Sequence, residues 1–154
     1  MMHQVDISQL EFEILRKVEK KLHKMLEHGG SDLHLKATAP IRIRVDGEIQ
    51  ALGDWVLTKE EALIFAKELL RTRFPELVEK KEVDLVYMID ESIRFRVNVF
   101  FQMEGVSAVF RVIPDNKKSL QELQMPPSLQ KLTELQRGIV LVTGMTGSGK
   151  STTL

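Results

Sequence analysis

Near the carboxyl end of the 154-residue chain, "GMTGSGKSTTL" (144–154) sets out glycines, a lysine and a serine as Gly144-x4-Gly149-Lys150-Ser151. That order is the Walker A, or P-loop, pattern. Gly144, Gly147 and Gly149 permit backbone conformations that turn successive N–H groups inward, with Thr146 and Ser148 completing a concave nest for anionic oxygens. A helix starting near Gly149 would aim its partially positive end at the same anion. Lys150 would reach the β- and γ-phosphates and the Ser151 hydroxyl would ligate Mg²⁺. Thr152 would serve the α-phosphate through its backbone N–H. With glycine at about 7% of residues, a chance match in this length is on the order of a few per thousand. The apolar run "GIVLV" (138–142) leads directly into the loop and reads as a strand buried on both faces of a parallel sheet. An ordinary glycine-serine turn is the competing reading, and it leaves that strand unexplained. The expected ligand is ATP with Mg²⁺.

Such a loop is only part of an enzyme. P-loop enzymes also hold Mg²⁺ through an acidic residue at the end of a later strand, and need a group to orient the attacking water. Nothing after Leu154 supplies either, and the helix that should carry the loop has barely begun. The chain is therefore expected to be the front part of a larger enzyme. Alone it should hydrolyse ATP negligibly, with no catalytic residue of its own.

A second group of candidates is cationic. In "IRFRVNVF" (93–100), Ile93, Phe95, Val97 and Val99 alternate with Arg94, Arg96 and Asn98; "VSAVFRVI" (106–113) puts Val106, Ala108, Phe110 and Val112 on one face. If "QMEG" (102–105) is the hairpin loop, Phe95 meets Val112, Val97 meets Phe110 and Val99 meets Ala108. A one-residue slip would bury the arginines, so this register is preferred. It also sets Arg96 opposite Arg111. Guanidiniums about 6 Å apart repel by roughly 0.7 kcal/mol at the dielectric of water and about 3 kcal/mol near a protein surface. Something anionic should lie between them. A carboxylate such as Glu82 or Asp84 on a neighbouring strand is one candidate, and a phosphate is the other.

The elements that must position these groups follow from periodicity. Ser8 and Glu11 form a capping-box pattern, with Ile7 and Phe12 as a hydrophobic staple, ahead of a helix ended by Gly29-Gly30. "SDLHLK" (31–36) alternates. "IRIRVDGEIQ" (41–50) reads as two strands about an Asp46-Gly47 turn. Thr58 and Glu61 cap a helix running to about Arg71, with Trp55 in the loop before it as a packing anchor. "EVDLVYMID" (82–90) is a further strand. "PDNKKS" (114–119) reads as a linker, followed by a short helical pattern, Pro126-Pro127 and a short helix at 128–135. The fold class is α+β.

Formal net charge is zero and there is no cysteine. No global field draws nucleic acid or an anionic membrane surface, so any basic site must be local. A disulfide framework and a thiolate-metal site are excluded. No apolar run approaches the roughly 20 residues that span a bilayer. A cytoplasmic chain without a nucleic-acid partner or direct membrane insertion is expected. His23 and His28 do not share a helix face as metal ligands would, and His3 lies in the terminus.

Taken in order, "GGSDLHL", "IRVDGE", "EVD", "RFRVNVFFQ", "AVFRVIP" and "RGIVLVTGMTGSGKSTTL" resemble the type IV pilus retraction ATPases, the PilT-like twitching-motility proteins of the secretion ATPase superfamily. The resemblance covers nearly the whole chain. It implies a PAS-like N-terminal domain (1–113), the linker 114–119, and a truncated start of a RecA-like α/β ATPase domain (120–154). It implies a hexameric ATP-driven motor, peripheral to the inner membrane through the pilus machinery, in which N-terminal-domain arginines meet the nucleotide phosphates. Arg96 and Arg111 are the matching positions. Met145 departs from the proline that relatives usually carry. His34, within "SDLHL", is expected to serve structure or subunit contact. The family's acidic box, catalytic glutamate, Walker B segment and histidine box would all lie beyond Leu154. A nonenzymatic assembly module, a pilus-assembly or type II secretion ATPase, and a small kinase with an unrelated N-terminal domain remain as alternatives.

Overall fold

A computed structural model describes residues 6–114 and 119–154, in two compact units, Met1–Asp115 and Asn116–Leu154. Residues 115–118 of the expected linker, and His3, lie outside the described residues.

The first unit has six strands: β1 (Asp32–Lys36), β2 (Pro40–Val45), β3 (Glu48–Val56), β4 (Glu82–Met88), β5 (Arg94–Gln102) and β6 (Gly105–Ile113). All pairings are antiparallel, in the order β3-β2-β1-β6-β5-β4. The β2–β3 turn needs left-handed backbone at two successive residues, and Asp46 and Gly47 adopt φ of 48° and 85°. The β5–β6 register pairs Phe95 with Val112, Val97 with Phe110, Val99 with Ala108 and Arg96 with Arg111. That is the arrangement that keeps the arginines out of the core.

One sheet face is covered by α1 (Glu13–Glu27), α2 (Lys59–Leu70) and α3 (Phe74–Lys80), which share a single core with the strands. At its centre Phe110 meets Phe65, Phe95 and Tyr87 in tilted or edge-on contacts of 6.1–6.3 Å. The Thr58 hydroxyl accepts from the Glu61 N–H at 3.1 Å and the Glu61 carboxylate from the Thr58 N–H at 2.8 Å, so the expected capping box opens α2. Gly29, with φ 68°, closes α1 in the left-handed region.

The expected Ser8–Glu11 box does not form. Ser8 lies in a 3₁₀ turn, Ile7–Gln9, and its hydroxyl donates to Asp6; α1 starts at Glu13 after Phe12 in left-handed backbone, with no local side-chain cap. The Ile7 side chain, half of the expected staple, lies outside the described residues. The start of α1 is capped from α2 instead. The Glu68 carboxylate, 2% exposed, accepts the Leu15 N–H at 2.7 Å and also serves the N–H groups of Phe12 and Glu13. A buried carboxylate with three donors satisfies more of the helix end than one serine could. Burial pushes the Glu68 pKa up, and the three N–H groups partly offset this. Trp55 lies on β3 rather than in a loop, and α3 has no counterpart among the sequence expectations.

The second unit contains α4 (Ser128–Thr133) and α5 (Lys150–Thr153). The helical pattern at 120–125 is realised as turns. "GIVLV" is not a strand: Ile139 and Leu141 are 87% and 80% exposed. A parallel strand exists only by pairing with neighbours, and none is present among the described residues of this unit.

Candidate functional site

The residues of the glycine-rich pattern, 144–151, form a tight, self-closed turn. Gly147 and Gly149 take φ of 80° and 90°, conformations costly for residues with a Cβ. A Cβ on Gly144 would come within 2.6 Å of the Ser148 hydroxyl, which would have to turn away. The Ser148 N–H donates to the Met145 carbonyl, and the Thr152 N–H to the Gly149 carbonyl at 3.1 Å as α5 starts. The Lys150 ammonium donates to the carbonyls of Gly144 at 2.8 Å and Met145 at 2.6 Å, across the loop. Thr146 and Ser151 are exposed on the same turn. Among the described residues, no group of three His, Asp or Glu side chains is placed to hold a metal ion.

Away from the helices, the other face of the first unit's sheet carries the arginines. A single row runs across four strands: Arg96 on β5, Arg111 on β6, Asp32 on β1 and Arg44 on β2. Asp32 is 4% exposed. It accepts from Arg111 Nε at 2.7 Å and from the Ser31 hydroxyl at 2.7 Å, with Arg44 Nε at 3.6 Å on its far side. Arg96 turns to the other neighbour, its Nη2 lying 3.8 Å from Asp84 on β4. Each facing arginine thus has its own carboxylate. These carboxylates flank the facing arginines rather than lying between them; Asp84 is one of the two that the sequence offers, and Asp32 is not. Its place follows from β1 lying between β2 and β6, a non-sequential neighbour relation that no local pattern encodes.

Burial pushes the Asp32 pKa up, but hydrogen bonds from Arg111 and Ser31 outweigh it and hold the carboxyl below its ordinary range. The same contact raises Arg111, whose side chain is nevertheless 71% exposed. It engages Asp32 through Nε, leaving its terminal nitrogens accessible. Next along β1, His34 sits between Arg42 and Val109. Burial, together with Arg44 and Arg111, drives its pKa down against the pull of Asp32. Its Nε2 is buried with no hydrogen-bond partner among the described residues. His34 is thus a neutral, half-buried neighbour of the arginine row.

With this geometry in place, likeness to known proteins becomes decisive. The profile of the type II/IV secretion system proteins matches residues 9–154. The chain belongs to that family. Within the secretion family it is 42% identical over 132 residues to the type IV pilus retractation ATPase PilT of Pseudomonas aeruginosa, an alignment covering 83% of this chain and 38% of the relative. The crystal structure of the pilus retraction motor PilT with bound ADP superposes with a TM-score of 0.77 at 35% identity, covering 86% of this chain and 39% of that one. The ATPase DotB of Legionella pneumophila gives a TM-score of 0.67 at 25% identity, over 90% and 39% of the two chains. This family member therefore spans about two fifths of the length of these relatives. No helix among its described residues is long and apolar enough to cross a membrane.

Proposed function

We propose that this chain is the N-terminal part of an ATP-hydrolysing motor for type IV pilus retraction. Its first unit is a PAS-like domain, and its second is the start of a RecA-like P-loop domain that works as a hexamer. The observation that carries the reading is the P-loop turn at 144–151, in a chain that matches a retraction motor whose structure holds ADP. In this reading Gly144, Thr146, Gly147, Ser148 and Gly149 cradle the phosphates of ATP through backbone N–H groups. Lys150 supplies the charge, Ser151 reaches Mg²⁺, and Thr152 serves the α-phosphate. Arg96 and Arg111 act on the same phosphates; an exposed guanidinium fixed by one nitrogen keeps its others for a bidentate contact. The working protein is cytoplasmic and reaches the inner-membrane pilus machinery through protein contacts. A pilus-assembly or type II secretion role is the second reading within the family.

The test is a fluorescent-ATP titration of this chain and of a version extended through an ATPase domain. Strong binding in the longer version, lost on Lys150→Ala and weakened on Arg111→Ala, with feeble binding and no phosphate release here, is the expected pattern. Equal affinity in both versions would overturn the two-domain site. Turnover by this chain above its Lys150→Ala variant would overturn its proposed inactivity.

A further inference from the structure

Net charge is zero, yet it is unevenly distributed. Lys17, Lys20, Lys21 and Lys24 lie on one flank of α1, about 10 Å from first to last at 1.5 Å per residue. Among the described residues, the ammonium groups of Lys17, Lys20 and Lys24 have neither an ion-pair nor a hydrogen-bond partner. Lys21 is held differently. Its ammonium donates to the Leu52 carbonyl at 3.2 Å, beside Gly53, where a Cβ would stand 3.3 Å from the same nitrogen. The β2–β3 ladder breaks at this point: Pro40 faces Val56 and Arg42 faces Ala51, so residues 52–55 leave the regular pairing. Trp55 belongs to that irregular stretch, and with the four lysines it lines a groove of about 400 Å³.

We propose that this groove docks an acidic segment of a partner protein, its carboxylates meeting the lysines and an apolar side chain covering Trp55. Uncompensated cations this close repel one another, and an anionic partner relieves the repulsion. A half-exposed tryptophan beside them supplies the kind of aromatic anchor on which interfaces concentrate their binding energy. The concave shape favours a protein segment over a bilayer. Trp55 is half-buried in the groove, and α1 carries no exposed large apolar side chain that could enter lipid. The zero net charge made any basic site local, and this is where the fold assembles one.

Trp55 is the only tryptophan in the chain, so its emission reports on the groove directly. The probe is a synthetic helical peptide with glutamates at i, i+3, i+4 and i+7 and one flanking leucine, titrated into the full chain at low salt. A saturable blue shift of Trp55 emission is expected. Binding should weaken about tenfold in the Lys20→Glu/Lys24→Glu variant and should fade in about 0.5 M salt. The same peptide with lysines replacing its glutamates should give no shift. Circular dichroism checks that α1 survives, and Lys17→Ala/Lys24→Ala gives a milder second variant that should also bind more weakly. Absence of a saturable shift, or unchanged affinity in both variants, would overturn the proposal. So would a larger response to phosphatidylglycerol vesicles than to the peptide, since that makes the lysine flank a membrane contact.

Discussion

The two units answer the same kind of sequence pattern in opposite ways. In the first, the alternating strands β5 and β6 find each other, β1 and the helices, and Phe95, Val97 and Phe110 are fully buried. In the second, a more apolar segment, "GIVLV", stays out of any strand, and none of the described residues 119–154 is buried. Apolar content alone does not make structure. An alternating hairpin carries its pairing partner next to it in sequence, whereas a parallel strand depends on partners reached through crossovers.

The sharpest way to test that contrast is truncation on each side. Phe110→Ala removes a ring that touches three other aromatic residues in a closed core, and should cost about 3–5 kcal/mol in urea-induced unfolding. Leu141→Ala, in the exposed segment, should change stability by no more than about 0.5 kcal/mol. A comparable loss from both would mean the second unit is packed in solution, and the contrast would collapse.

Glu68 comes next in size, because it ties α1 to α2 inside the first unit. Glu68→Ala strands the buried Leu15 N–H and should cost about 1–3 kcal/mol, whereas Glu68→Gln keeps an acceptor and should cost less. The pH dependence has a definite sign. The folded pKa is raised, so the contribution is complete below the unfolded value of 4.5 and is lost as pH rises through the folded value. Urea midpoints measured across that window should slope downward for the native protein, and the Glu68→Gln variant should lose that slope.

Glu68 also marks the limit of what the sequence makes legible. Sequence patterns reveal what is encoded within a few residues: the Thr58–Glu61 box, the Asp46-Gly47 turn, and the β5–β6 register, which follows from keeping Arg96 and Arg111 out of the core. They do not reveal that a carboxylate fifty-three residues from Leu15 displaces Ser8 as the cap of α1, since this depends on how two helices pack. The same holds for the candidate site. Gly144 to Thr152 announce themselves by spacing, and the facing arginines by register. Asp32 is invisible until β1 is known to lie beside β6. Phe74 and Leu77 bury α3 against the core, but a seven-residue helix with Pro75 in its first turn has too little periodicity to be read alone.

The smallest expected effects lie within the arginine row, where two ion pairs of the same chemistry differ in burial. Asp32→Asn removes the charge from a buried acceptor with two short hydrogen bonds. It should cost about 1–2 kcal/mol, discounted because the Arg111 guanidinium is largely in water. Its pKa is lowered, so the stabilisation is present above the unfolded value of 3.8 and disappears as pH falls through the folded one. Asp84→Asn breaks a longer contact between two exposed side chains and should shift stability by less than about 0.5 kcal/mol. In about 1 M salt the Asp84 effect should vanish while most of the Asp32 effect persists, since screening acts on exposed pairs far more than on buried ones. If the two variants respond alike to salt, Asp32 is not the fixed point of the row. Arg111 would then be no better anchored for a phosphate than Arg96.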